Sequence, residues 1–196
     1  MFWFENPNEP YAWDVALGEV LNDNHHALIE NFIAANPGSL TPAKIWSEKD
    51  EDAHIRTTEV FFLQDADYFE SVFANVTAAV HQANSAHFKY SISYLEPLQY
   101  SVYRAETSGH YDMHVDNSFR NPKGHNRKIS FSVLLNDPSE FDGGELCLHY
   151  TNKPAVIPLR KGQMALFPSY MPHSVQPVTR GVRKSLVGWV CGPNFV

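Results

Sequence analysis

Two short stretches concentrate the chemistry. The first is His110-Tyr111-Asp112-Met113-His114-Val115-Asp116. On a β-strand successive side chains alternate faces, so His114 and Asp116 point the same way. An imidazole beside a carboxylate is two thirds of a non-haem iron site, which takes two histidines and one carboxylate and leaves the other positions open. The second stretch, Phe167-Pro168-Ser169-Tyr170-Met171-Pro172-His173-Ser174-Val175, offers His173 as the third ligand. His110 is the rival. It shares the strand face of His114 but lies four residues, about 13 Å, along an extended chain. That is too far for both to hold one ion. His125 and His149 have no partner pattern. Ten positions past His173 comes Arg183, in Gly181-Val182-Arg183-Lys184-Ser185.

These segments need a scaffold. The chain has 196 residues, enough for one domain with a sizeable core. Hydrophobic residues make up 43%, ordinary for a globular protein. The net charge of −7 argues against a general nucleic-acid binder, which would present a basic face. Cys147 and Cys191 form no CxxC pair, so neither a disulfide framework nor a Cys-rich zinc site is expected. Both sit in apolar runs and read as buried free thiols. The N-terminus lacks a basic region followed by a long apolar one, and no stretch approaches a membrane span. A cytoplasmic protein without membrane or nucleic-acid partners is the expectation.

Residues 1–13 are rich in aromatics and Pro and read as an irregular arm. From Asp14 to Pro37, Val15, Leu21, Leu28, Ile29, Phe32 and Ile33 recur at helical spacing, as one helix or two broken near Asn22–Asn24. His25 and His26 are adjacent and do not share a helix face, so surface placement is expected. Residues 38–54 read as loop anchored by Trp46. Ile55–Leu63 reads as a strand, and Ala66–Ala83 as a second amphipathic helix. From Phe88 the texture is β. Strand candidates are 88–95, 98–105, 109–116, 128–135, 144–150, 155–159, 163–167, 174–177 and 182–191, punctuated by Gly, Pro, Asn and Asp turns. Such strands indicate a sandwich or barrel, with the two helices covering one outer sheet face.

The order of motifs resembles a known family. Tyr103, then Gly109-His110-Tyr111 and His114-Val115-Asp116, look like the start of the iron site in prolyl-4-hydroxylase-like 2-oxoglutarate dioxygenases. Lys128-Ile129-Ser130 through Asn136-Asp137, then Asp142-Gly143-Gly144-Glu145-Leu146, resemble that family's central strands. Pro172-His173-Ser174-Val175 and Gly181-Val182-Arg183-Lys184-Ser185-Leu186 resemble its closing strands, particularly in PKHD-type hydroxylases. HxD alone is weak; HxD, GGEL, PHSV and GVRxS in this order are strong. The resemblance spans roughly residues 88–192. It implies a mainly β fold, a double-stranded β-helix (jelly roll, cupin-like), with two N-terminal helices on the major sheet. The whole of 1–196 is then one dioxygenase domain: 1–87 an arm, helices and first strand, 88–192 the jelly-roll core.

The resemblance also implies cofactors and roles. Fe(II) held by His114, Asp116 and His173 keeps three positions open, two for 2-oxoglutarate and one for O2. Ascorbate is a candidate stimulant. Arg183 is expected to anchor the distal carboxylate of 2-oxoglutarate, since a guanidinium fork matches a carboxylate. Ser185, on the same strand face, and Tyr103 would add hydrogen bonds. Arg183, Ser185, Val187 and Trp189 would face inward and Lys184 outward. Tyr111, Arg120, Lys123 and Trp189 are the candidate substrate contacts, with residues 117–127 as a lid closing over the iron. The expected reaction is hydroxylation of an unactivated C–H bond in a prolyl residue of a peptide or protein, or in a free amino acid. The alternative is a non-catalytic metal-binding jelly-roll module of cupin type. A halogenase is disfavoured, because Asp116 fills the position a halide would take.

Overall fold

The computed structural model describes residues 15–43, 55–64, 67–116, 124–150 and 153–194. In chain order its elements are β1 (Ala16–Glu19), α1 (Asp23–Ala35), β2 (Thr41–Pro42), β3 (Arg56–Thr57), β4 (Glu59–Leu63), α2 (Glu70–Ala83), β5 (Tyr94–Leu95), β6 (Leu98–Arg104), β7 (His110–His114) and β8 (His125–Leu134). There follow β9 (Phe141–Gly143), β10 (Leu146–Leu148), β11 (Ala155–Ile157), β12 (Gln163–Pro168), β13 (His173–Val175) and β14 (Val178–Pro193). The expected arm at 1–13 and the Trp46 anchor lie outside the described residues.

Two antiparallel sheets result. The major sheet runs β1-β12-β8-β14-β6-β4-β2, with β5 and β9 adding to β14. The minor sheet runs β11-β10-β13-β7-β3. This is the mainly β architecture expected from the strand count. One core joins the helices to the major sheet: Ile29 and Ile33 of α1 and Val72, Val76 and Val80 of α2 cluster with Leu98, Tyr100, Val102, Phe131 and Leu186. Their three- and four-residue spacing makes one apolar stripe per helix, which must be buried. A second core fills the space between the sheets, with Tyr103, Leu134, Leu148, Phe167 and Val175 among its members. Both faces of β14 are therefore covered along its second half, from Ser185 to Gly192, with Val187 partly exposed.

That cover qualifies one expectation. Lys184 points away from Arg183 as expected but is only partly exposed, because it meets α1, where its Nζ lies 2.5 Å from the Glu30 carboxylate. Glu30 also accepts a hydrogen bond from the Tyr100 hydroxyl at 2.9 Å. Other expectations shift as well. Residues 16–19 are not helical: they pair with β12, Ala16 opposite Leu166. The helix starts at a capping box, Asn22 and His25 exchanging side-chain-to-backbone hydrogen bonds of 3.2 Å. Ile55–Leu63 splits at Thr58 into β3 and β4, which join different sheets. The Thr58 hydroxyl marks the break, donating to the Val102 carbonyl at 2.8 Å. α2 begins at Glu70 rather than in the Ala66 region. Of 88–95 only β5 is strand; Asn84–Phe88 forms a wide helical turn ending at Lys89 in the left-handed region, φ 55°. The Asn84 side chain closes it with two 2.9 Å hydrogen bonds to the Tyr90 backbone.

His25 and His26 are buried, at 8% and 6% exposure, not on the surface. The capping role accounts for His25. His26 sits beside Gly162 under the turn that precedes β12, and neither ring nitrogen has a hydrogen-bond partner. Burial lowers its pKa below the ordinary histidine value. Lys161 and His25 act in the same sense, and Asp23 and Glu30 oppose them. A depressed folded-state pKa favours the native state while the ring is neutral. Stability from this site is therefore complete above about pH 6.5, the unfolded value, and is lost as pH falls below it. His26→Leu is expected to show a smaller drop in melting temperature between pH 7.5 and 5.5 than wild type; equal drops in thermal melts would refute it.

Candidate metal centre and cosubstrate pocket

The two histidines are brought together by strand pairing. β13 runs antiparallel to β7 with His173 opposite His114, a placement that sets side chains side by side. Their rings lie 4.2 Å apart. β7 ends at His114, so Asp116 is not on the strand as the two-residue spacing suggested. It is held instead by its backbone N–H, which donates to the Ser169 carbonyl at 2.9 Å. Its carboxylate still reaches the pair: Oδ1 is 3.6 Å from His114 Nε2 and Oδ2 3.3 Å from His173 Nε2. One ligand atom from each of His114, Asp116 and His173 lies within 4.8 Å of the other two.

The ring orientations follow from backbone contacts. His114 Nδ1 lies 2.8 Å from the Asp112 carbonyl and His173 Nδ1 2.9 Å from the Met171 carbonyl. A carbonyl only accepts, so each Nδ1 donates, and both Nε2 atoms turn toward Asp116. Burial and the neighbouring His173 bring His114 down to a pKa of about 4, against the pull of Asp116, so it is neutral at pH 7. Burial alone would raise the pKa of Asp116; the two histidines outweigh it and hold the carboxyl well below the usual range. For His173 burial works toward the neutral ring, and Asp116 reverses the sign and raises its pKa. Two neutral-capable imidazoles with fixed tautomers and an ionised carboxylate suit a divalent first-row metal with open positions, not a closed thiolate zinc site.

Packing fixes the rings from outside. Tyr111 stacks on His114, centroids 3.5 Å apart and planes 15° apart, and the Arg56 guanidinium lies 4.6 Å over Tyr111. Phe167 contacts His173 at 4.8 Å between centroids. His110 stays outside the cluster, its Nδ1 2.8 Å from the Ser108 carbonyl.

Arg183 lies between the sheets at 2% exposure. Its Nη1 donates to the Ser185 hydroxyl at 3.1 Å, and its guanidinium carbon lies 5.5 Å from the ring of Tyr103, its cross-strand partner. No carboxylate of the described residues is within ion-pair distance. Burial lowers its pKa, partly offset by Tyr103 and Glu145. Space for its stem exists because position 144 is glycine: φ is +68°, and a Cβ would stand 2.7 Å from Arg183 Cδ. Trp189 is also inward and buried, its Nε1 without a partner. Arg127 lies 3.9 Å over its indole and is paired with Glu96 at 3.0 and 2.6 Å.

Arg120, Lys123 and most of the expected lid fall outside the described residues. Residues 125–127 are the first of β8, so that end of 117–127 is strand, not loop. Sequence reasoning missed Arg56 and Arg127, which carry no motif. It also missed the polar wall between the sheets: Gln99, Ser101, Ser130 and Ser132 are all buried. The signal was present in Ile129-Ser130-Phe131-Ser132-Val133, where hydroxyls alternate with apolar residues in a strand buried on both faces.

Residues 98–191 match the 2OG-Fe(II) oxygenase superfamily. Over that segment the chain is similar to the members of that superfamily. Among relatives, a PKHD-type hydroxylase of Prochlorococcus marinus strain NATL2A is 42% identical over 81 residues, which is 41% of this chain and 36% of the relative. The chain thus aligns with little more than a third of that protein. Solved structures extend the likeness of fold to nearly the whole chain. A Pseudomonas putida prolyl-4-hydroxylase superposes with a TM-score of 0.71 at 20% identity, covering 93% of this chain and 95% of its own. A Trichoplax adhaerens prolyl hydroxylase, solved with a hypoxia inducible factor peptide fragment, gives 0.71 at 18%, covering 91% and 84%. The two-sheet fold with its helices is therefore the double-stranded β-helix of the superfamily. The family match and the His-Asp-His cluster imply Fe(II) and 2-oxoglutarate, and the donor set fits both. Among the described residues no helix is long and apolar enough to cross a membrane.

Proposed function

We propose that this chain is an Fe(II)- and 2-oxoglutarate-dependent hydroxylase acting on a prolyl residue of a peptide or protein, or on a free amino acid. The observation that carries the reading is the pairing of two features in one interior: the convergent His114, Asp116 and His173 donors, and a buried Arg183 without a carboxylate partner among the described residues. His114, Asp116 and His173 hold Fe(II); Arg183, Ser185 and Tyr103 receive the distal carboxylate of 2-oxoglutarate. Bound together, iron and 2-oxoglutarate supply the oxidation of C–H to C–OH, consuming O2 and converting 2-oxoglutarate to succinate and CO2. The chain's own work is positional. The β7–β13 pair fixes both imidazoles, and β14 holds the guanidinium in a water-poor interior where its attraction to an anion is strong.

A metal-binding module without turnover has no use for an unpaired buried guanidinium, which is costly to desolvate. Tyr111, Trp189, Arg120 and Lys123 remain the proposed substrate contacts. Prolyl peptides lead because a prolyl hydroxylase of the same fold is solved with a peptide fragment. Succinate release should rise above the uncoupled background with prolyl peptides, or with a free amino acid, in a panel assay. No member of either class raising it, with iron and 2-oxoglutarate bound, would remove the substrate assignment.

A further inference from the structure

Asp116 differs from the two histidines in how it is held. Both histidines sit in paired strands, whereas Asp116 lies two residues beyond the end of β7. The residue that grips it is Ser169, just past β12: its carbonyl accepts from the Asp116 N–H at 2.9 Å, and its own N–H donates to the Lys128 carbonyl at 3.0 Å. The Ser169 hydroxyl in turn lies 2.9 Å from that of Ser130. Ser130 belongs to the cross-strand row Trp189–Ser130–Phe167. Phe167 in that row touches His173. Both serines are fully buried. The Ser130 hydroxyl donates to that of Ser169, so this bond ties β8 to the residue that grips Asp116.

We infer that Ser130 and Ser169 form a buried latch that positions Asp116: Ser169 fixes its backbone, and the Ser130 hydroxyl holds Ser169 in place. This rests on the iron-binding reading above. It makes both serines positioning residues, contacting neither metal nor substrate. Partners of metal ligands orient them, and their loss typically costs 10–100-fold in affinity.

The test is anaerobic Fe(II) titration of the full chain, followed by the visible charge-transfer band after 2-oxoglutarate is added. Ser130→Ala is expected to weaken Fe(II) binding about 10–100-fold and to shift the band. Ser132→Ala, on the same strand face, should leave both unchanged. Ser130→Ala alone strands the Ser169 hydroxyl, so Ser130→Ala/Ser169→Ala is the companion: removing both partners restores stability while iron affinity stays low. Wild-type affinity and an unshifted band in the double variant would overturn the latch while leaving the metal centre standing. Failure of the wild-type protein to bind Fe(II) would overturn both.

Discussion

Replacing His173 by alanine is expected to remove Fe(II) from the protein and to stop succinate release with it. His114→Ala and Asp116→Ala are expected to do the same. Each variant leaves only two of the three convergent donors. The loss should exceed the roughly 10–100-fold that changing an outer partner of a ligand costs. The fold should survive, since β13 is tied to β7 and β10 by backbone pairing that no side chain supplies. His173→Ala also leaves Asp116 without its nearer imidazole, 3.3 Å away, so its metal-free protein should melt lower than that of His114→Ala. Elemental analysis is the check. Iron content equal to wild type in all three variants would refute the assignment.

Arg183→Met is expected to weaken 2-oxoglutarate binding on the order of 10²–10³-fold while iron content stays at the wild-type level. Removing one member of a buried charge pair costs about 2–5 kcal/mol, and each 1.4 kcal/mol is about tenfold. Methionine preserves much of the stem that packs on Gly144, so the change falls on the charge. The two neighbouring cations cannot substitute. Lys184 is committed to Glu30 on the opposite face of β14, and Arg180 is paired with Asp142 at 2.6 and 3.0 Å on the surface. Titration of 2-oxoglutarate into the Fe(II) protein, read through the charge-transfer band, gives the affinity. Identical curves for wild type and variant would remove Arg183 from the cosubstrate pocket.

Much of the molecule was legible in the chain itself. The strand-rich texture after Phe88 and the apolar stripes of two helices gave the mainly β architecture, because periodicity follows from burying one face. His114 and His173 were identifiable as partners from residue type and motif order, although 58 intervening positions hide their contact; the β7–β13 register creates it.

What the sequence left open depended on layers that meet only in three dimensions. Residues 16–19 read as helix because Val15 and Leu21 fit its period, yet β12 offered an open edge. Lys184 read as outward because alternation names two faces and does not say that α1 covers the second. The spacing of His114 and Asp116 assumed one continuous strand, and only the packed Ser169 carries Asp116 beyond its end. Local period records which face a residue occupies. What lies against that face is fixed by residues tens of positions away, and so belongs to the tertiary structure alone.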